Sequence, residues 1–303
     1  MPRTLILWIV AGSAPFSIYI AGQTPAVPTG PMVGVPFFAG DAHDKPVPDL
    51  TPADVEVVDN KRPPQSAVAI RRAEELPLRL AIVIDTSNSQ RASAVYEAAV
   101  RALPEFAAQM LDSADDRALI EQFDVVPSAT RFVTKTELRS VKVNLTPGGG
   151  TALYDAVRFA CDERMKKDPT EPSRRVIVLI SDGDDNQSHI GRAEAITSTQ
   201  EAGAVIFAIS TAPEAYGNAH GDNVLKQFSE QTGGLAFLQL NRKDLSKVFA
   251  TIKEQIDNMG VLSYVPASPL QNGQRRTLEL KSASNRKLKF RAPKAYYLNA
   301  ATQ

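Results

Sequence analysis

Cysteine and histidine are scarce in this sequence: one Cys and three His in 303 residues. The lone Cys161 excludes an internal disulfide and any Cys-rich zinc site, and so few imidazoles make a zinc enzyme a poor fit. Neither sign of charge is in excess, with Lys+Arg and Asp+Glu at 34 each, so nothing global argues for nucleic acid or an anionic membrane surface as partner. A phosphate-cradling G-x-x-x-x-G-K-[ST] loop is also missing, and nucleotide hydrolysis then lacks its grip on the phosphates. Apolar residues, by contrast, make up 43% of the chain, enough to bury a sizeable core. The length suits one large domain with something smaller beside it, or two medium ones.

The first residues differ in kind from the rest. "MPRTLILWIVAGSAPFSIYIAGQTPA" has Arg3, an apolar stretch interrupted by Ser13, Pro15 and Ser17, and then small and polar residues. Residues 1–26 read as an export signal cleaved near Ala26. A retained N-terminal anchor is the alternative, because the apolar stretch is nearly long enough to span a bilayer. Either way the remainder is expected outside the cytoplasm, in the periplasm, the cell envelope or secreted, with a membrane touched only through an uncleaved segment. The absence of paired cysteines suits a bacterial exported protein.

Three regions follow. Residues 27–75 hold "PDLTPADVEVVDNKRPPQSAVAI", where Val55, Val57 and the steps of "AVAI" alternate as strands do around a "DNKRPP" turn. Over residues 76–260, apolar runs "LRLAIVID", "RALIEQF", "RRVIVLISD" and "AVIFAIS" alternate with helix-period segments such as "ASAVYEAAVRALPEFAAQM", "TALYDAVRFACDERM" and "LSKVFATIKEQIDNM". That alternation implies an α/β domain, a Rossmann-like, doubly wound, mostly parallel sheet with helices on both faces. Residues 261–303 return to strand alternation, with turns at "QNGQ" and "SASN". Neither β-rich end is large enough to stand alone. Pairing them into one small β domain, interrupted by the α/β domain, is the economical arrangement.

The polar tails of the apolar runs carry the chemistry. After "LAIVI" come Asp85, Thr86, Ser87, Asn88 and Ser89; after "VIVLI" come Ser181, Asp182, Gly183, Asp184 and Asp185. In a doubly wound sheet both tails emerge at the carboxyl edge, where ligands bind. "TPGGGT" precedes the helix "ALYDAV", and its glycines deliver Thr151 to the same edge. The three loops supply carboxylates and hydroxyls without a ring nitrogen or thiol. An all-oxygen set suits a hard divalent cation, Mg²⁺ by default or Mn²⁺, more than zinc. Its direct ligands are too few for an octahedron, so water or a group from another molecule must complete it. Taken singly, each loop is an ordinary helix cap or solvated turn.

"DTSNS", "GGGT" and "SDG", in this order on alternating elements, resemble the von Willebrand factor type A domain and its metal ion-dependent adhesion site. The resemblance covers about residues 76–260. It implies that Ser87, Ser89 and Thr151 bind the metal directly while Asp85 and Asp182 hold it largely through water. It further implies that an acidic side chain of a protein partner, Glu or Asp, fills the open position. The flanks, "LTPADVEVVDNKRP" and "RAPKAYY", resemble the type A-related proteins exported by some bacteria. The resulting expectation is an exported protein-binding module without catalytic residues.

Two other readings stand beside it. One is an envelope scaffold whose metal site is not essential. The other is a metal-dependent phosphoesterase, against which Ser87 stands where an acid/base Asp would be needed and no Lys or His is placed as a base. His189 and His220 sit in polar segments and read as surface residues. Cys161 reads as a small core residue. "STAPEAYGNAHGDNV", residues 210–224, is a long polar segment near the same edge and a candidate specificity loop. The basic tail residues Arg275, Arg276, Lys281, Arg286, Lys287, Lys289, Arg291 and Lys294 are expected mostly on a solvated face opposite Leu278, Leu280, Leu288 and Phe290.

Overall fold

The computed structural model describes residues 32–64, 68–170, 172–212, 218–268, 271, 273–284 and 286–297. The export segment lies outside the described residues, as do 213–217 of the candidate specificity loop. Among the described residues no helix is long and apolar enough to cross a membrane.

In chain order the strands are β1 (Val33–Gly40), β2 (Val55–Asp59), β3 (Ala69–Arg71), β4 (Leu78–Asp85), β5 (Arg117–Phe123), β6 (Pro127–Ala129), β7 (Arg174–Ser181), β8 (Ala204–Ser210), β9 (Ala236–Phe237), β10 (Gly260–Tyr264), β11 (Arg275–Ser282), β12 (Lys289–Arg291) and β13 (Ala295–Tyr297). The helices are α1 (Ala94–Met110), α2 (Lys135–Leu138), α3 (Leu153–Phe159), α4 (Arg192–Glu201), α5 (Ala219–Thr232) and α6 (Leu245–Asp257). The central sheet runs β6-β5-β4-β7-β8-β9. Its pairings are parallel except for the antiparallel edge strand β6.

Every residue of β4, β7 and β8 is buried, as continuous apolar runs require when helices cover both faces. Leu78, Leu80, Ile82 and Ile84 face one apolar cluster with α1 and α6. Ala81 and Val83 face the other, with α3, α4 and α5. The first layer is closed by Phe106 stacked on Phe249 with ring centroids 4.1 Å apart. Removing the side chain of a residue such as Ile82 would leave a void between packed layers at a cost of about 2–5 kcal/mol. α3 widens into a π-helical turn at Ala160–Met165, which tucks Cys161 fully into the second cluster.

The chain winds outward from β4 to β5 on one side and returns to β7 on the other. Strand order therefore reverses between β4 and β7. At such a switch point the connections diverge and leave a crevice beyond the carboxyl ends of the strands. β4 ends at Asp85 and β7 at Ser181, one residue before Asp182.

The antiparallel sheets β12-β1-β10-β3 and β13-β11-β2 each draw strands from both ends of the chain. Val35 stands opposite Leu262, and Val57 opposite Leu280. Val35, Val57, Leu262, Tyr264 and Leu278 share a third apolar cluster. The flanking strands also touch the α/β layers: Phe38 meets Phe207 edge-on at 5.8 Å, and the Arg291 guanidinium donates to the carbonyls of Gly233 and Gly234.

Two expectations need correction. The segment 210–224 is not loop throughout, because Ala219–Thr232 is α5. Asn218 caps it by accepting from Gly221 N, and Val224, Leu225 and Phe228 bury its inner face. Arg276 does not lie on a solvated face but points inward at 2% exposure, where Asp59 accepts from it at 3.0 Å. Much of the remaining tail charge is paired, Arg286 with Asp49 and Lys289 with Asp44, which weakens any reading of the tail as an anion site.

Candidate metal centre

Asp85 closes β4 with its side chain fully buried. One carboxylate oxygen accepts from Ser87 N at 2.9 Å and the other from Ser181 Oγ at 2.7 Å. The turn that follows brings the hydroxyls of Ser87 and Ser89 to 3.0 Å from each other. Ser87 is buried and Ser89 is exposed, so the pair leads from the carboxylate toward solvent. Thr86 fixes the turn by donating N–H and hydroxyl to Phe123 O.

The glycine-rich loop is sewn to this turn. Gly148 N donates to Thr86 O at 2.7 Å and Asn88 N to Gly149 O at 3.3 Å. Gly149 has φ 73°, and a Cβ there would stand 2.9 Å from Asp124 Oδ2, so only glycine passes this point without displacement. Thr151 is buried. Its N–H donates to Asn186 Oδ1 at 3.0 Å, and its carbonyl accepts from Asn186 N and Gln187 N.

Asp182 sits at the head of the third loop, 6% exposed. A Cβ on Gly221 would lie 2.0 Å from Asp182 O, so the start of α5 packs directly on this turn. Asn218 Nδ2 donates to Asp182 O at 3.2 Å and to Asp184 Oδ1 at 2.9 Å. The rest of the loop is occupied elsewhere: Asp185 and Ser188 accept from the N-terminal N–H groups of α3 at Tyr154. All five candidates thus lie at one sheet edge, Asp85 at the end of β4 and the other four on the loops beyond the strands. His189 does not join them. Its Nδ1 lies 2.7 Å from Asp155 Oδ2, with the ring exposed. His220 is exposed at the start of α5.

Burial pushes the Asp85 carboxyl up to about 7, and the Asp182 charge adds to the rise against the pull of the Ser87 and Ser181 hydroxyls. Asp182 is also raised, by burial first, against the hydroxyl of Ser89. Among the described residues neither carboxylate has a Lys, Arg or His ion-pair partner. Two neighbouring buried carboxylates facing hydroxyls and single backbone N–H groups but no cation are poorly compensated, and a bound cation would relieve both. Among the described residues no three His, Cys, Asp or Glu side chains gather as a metal cage, so an ion here would depend on hydroxyls as much as on carboxylates. The donor set fits a hard divalent cation.

Sequence reading did not assign roles to Ser181, Asn218 and Gly221. A serine ending an otherwise apolar strand was the available signal for Ser181. Asn218 and Gly221 carry none, since their roles come from the packing of α5 on the Asp182 turn.

Residues 80–184 match the family model of the von Willebrand factor type A domain. The matched stretch runs from β4 through the Asp182 turn and so contains all three loops of the edge. Type A domains are often adhesion or protein-interaction modules, generally not enzymes, and commonly bind a divalent metal. No curated protein matches the chain in sequence. Among solved structures, a von Willebrand factor type A protein from Catenulispora acidiphila is 11% identical, with 90% of this chain and 76% of that one covered and a TM-score of 0.49. An aerotolerance-related membrane protein from Bacteroides fragilis, solved with multiple mutations to serines, is 17% identical over 59% of this chain and 98% of that one, with a TM-score of 0.44. The conserved hypothetical protein BatB from Bacteroides thetaiotaomicron is 20% identical over 58% and 98%, with a TM-score of 0.42.

Proposed function

We propose that the protein is an exported binding module that contacts a partner protein through Mg²⁺ or Mn²⁺ at the carboxyl edge of its type A domain. The observation that carries this reading is the pair of buried, raised carboxylates, Asp85 and Asp182, with hydroxyls but no cationic side chain beside them. Ser87, Ser89 and Thr151 would hold the ion directly, and Asp85 and Asp182 largely through water. Neutral hydroxyls leave the cation much of its charge, and that charge attracts one more carboxylate, a Glu or Asp of the partner. The chain's own residues bind and orient in this scheme. None moves a proton or attacks a bond, so no phosphoester turnover is expected.

The test is calorimetric titration of Mg²⁺ into the mature chain and its Thr151→Ala variant, with thermal unfolding of both in EDTA. Wild type should bind with modest affinity. The variant should lose at least about tenfold while unfolding in EDTA within a few degrees of wild type, because Thr151 lies at the rim of the sheet and outside the apolar clusters. Equal Mg²⁺ affinity in the two proteins would overturn the ligand set and favour a scaffold with a non-essential site. Proteins retained from envelope extract in Mg²⁺ and released by chelator would then supply the partner for study. Export is tested separately by sequencing the N-terminus of the protein from its host.

A further inference from the structure

Exposed aliphatic side chains are rare among the described residues. Among the described residues the large hydrophobics left open to solvent are Met32, Val125 and Val126, the last two at 42% and 69%. Val125 and Val126 are consecutive, and neither belongs to any of the three apolar clusters. They form the turn between β5 and β6, at the carboxyl edge of the central sheet. Phe123 stands opposite Asp85 in the β4–β5 register, so the turn begins one strand away from the candidate metal carboxylate, about 4.8 Å in the hydrogen-bonding direction.

The turn is also tied to both hydroxyl-bearing loops. Thr86 N donates to Phe123 O at 2.7 Å, and Ala152 N, next to Thr151, donates to Asp124 O at 2.7 Å. Asp124 Oδ1 accepts from the N–H groups of Val125 and Val126, which fixes the turn in a conformation that presents both side chains outward. Valine is stiff at χ1, so a partner meeting this pair would freeze little side-chain freedom. Around it the exposed rim is polar: Asn88, Ser89, Asp184 and Asn186.

We infer that Val125 and Val126 are the apolar foothold of the binding face and take a Leu, Ile or Phe side chain of a partner segment whose neighbouring Glu or Asp carboxylate meets the cation. The inference rests on the metal-dependent reading above and deepens it by naming the partner chemistry, an acidic residue flanked by a bulky apolar one. A carboxylate arriving on a peptide must carry its sequence neighbours across these loops, and among the described residues this valine pair is the exposed large apolar surface at that edge.

The test uses the mature chain and capped hexapeptides that each hold one Glu, with Leu or Ser placed one, two or three positions to either side. Binding is read in Mg²⁺ and in EDTA by titration and by the methyl resonances of the two valines. In Mg²⁺ the best Leu peptide should bind about fivefold more tightly than its Ser counterpart and shift the valine methyls. The double variant Val125→Ser, Val126→Ser should abolish that preference while keeping Mg²⁺ affinity within about twofold of wild type. Mg²⁺-dependent binding with no leucine preference at any spacing, or a preference the double variant retains, overturns the foothold and leaves the metal reading intact. Binding of every peptide that is equal in Mg²⁺ and EDTA overturns the metal reading and the joint site with it.

Discussion

Asp59 and Asp85 both end strands and are both closed off from water, at 1% and 0% exposure, yet their surroundings are opposite. Asp59, in the strands built from the two chain ends, receives the Arg276 guanidinium on both oxygens and the Tyr296 hydroxyl at 3.0 Å. Asp85, in the central sheet, receives one backbone N–H and hydroxyls, with another carboxylate nearby. A carboxylate buried for structure is neutralised by a cation that the chain itself supplies. One left without such a cation costs stability in the empty protein and is suited to binding a cation from outside. The two ends of the chain are pinned together across Asp59 and Arg276, whereas the switch-point edge stays electrostatically incomplete.

The comparison is tested most strongly at its structural end. Asp59→Ala would leave Arg276 buried without its counter-ion, and breaking such a pair costs about 3–5 kcal/mol. Urea unfolding should register most of that loss, equally with and without Mg²⁺. A variant of near wild-type stability would mean that Arg276 reaches water once released, and that the pairing of the chain ends does not depend on it.

Asp85→Asn should act in the opposite direction. In the folded protein burial raises the Asp85 carboxyl from its ordinary value of 3.8 to about 7. Its favourable contribution is therefore full below the unfolded pKa and is lost as pH rises through about 7. At pH 8 in EDTA the carboxylate is ionised and uncompensated, so the Asn variant should be more stable than wild type by on the order of 1–2 kcal/mol. The gain is limited because the amide has one acceptor oxygen for two donors. At pH 5, between the unfolded and folded pKa values, only part of that loss has accrued and the difference should be smaller. Mg²⁺ should raise the melting temperature of wild type at pH 8 much more than at pH 5, where a proton on Asp85 competes with the ion, and should barely move the variant. Thermal scans at the two pH values, with Mg²⁺ or EDTA, decide it. A variant less stable than wild type in EDTA at pH 8 would place Asp85 with Asp59, as a structural group.

The five candidate positions could be read from the sequence because short polar residues break off continuous apolar runs, and strand burial on both faces makes those runs long. Their surroundings could not. The bond from Ser181 to Asp85 joins residues 96 positions apart, and the approach of Gly221 to Asp182 depends on how α5 packs. α4 was illegible for a different reason: its buried residues are Ala195, Ser198, Thr199 and Gln200, so no large apolar stripe marks it. The inward face of Arg276 was legible in the alternation, because Arg276, Leu278 and Leu280 share one face of β11; what the sequence could not show is the buried partner that makes an inward cation tolerable. Asp59, its partner, lies 217 residues away.

The smallest expected effect concerns the choice between neighbouring aspartates in "SDGDD". Asp184 is exposed; its carboxylate accepts from Asn218, which also donates to Asp182 O. Its charge raises Asp182 slightly, behind burial and against the Ser89 hydroxyl. Asp184→Asn keeps an acceptor for Asn218 and removes one negative charge that attracts a bound ion. That attraction acts through a solvated surface where screening is strong. Mg²⁺ affinity should therefore change by less than about twofold, whereas Asp182→Asn should lower it by about tenfold or more. Calorimetry on the two variants at pH 8 makes the measurement. If Asp184→Asn proved as damaging as Asp182→Asn, the ion would be governed by the outer carboxylate, and the contrast between compensated and uncompensated burial would no longer explain where it binds.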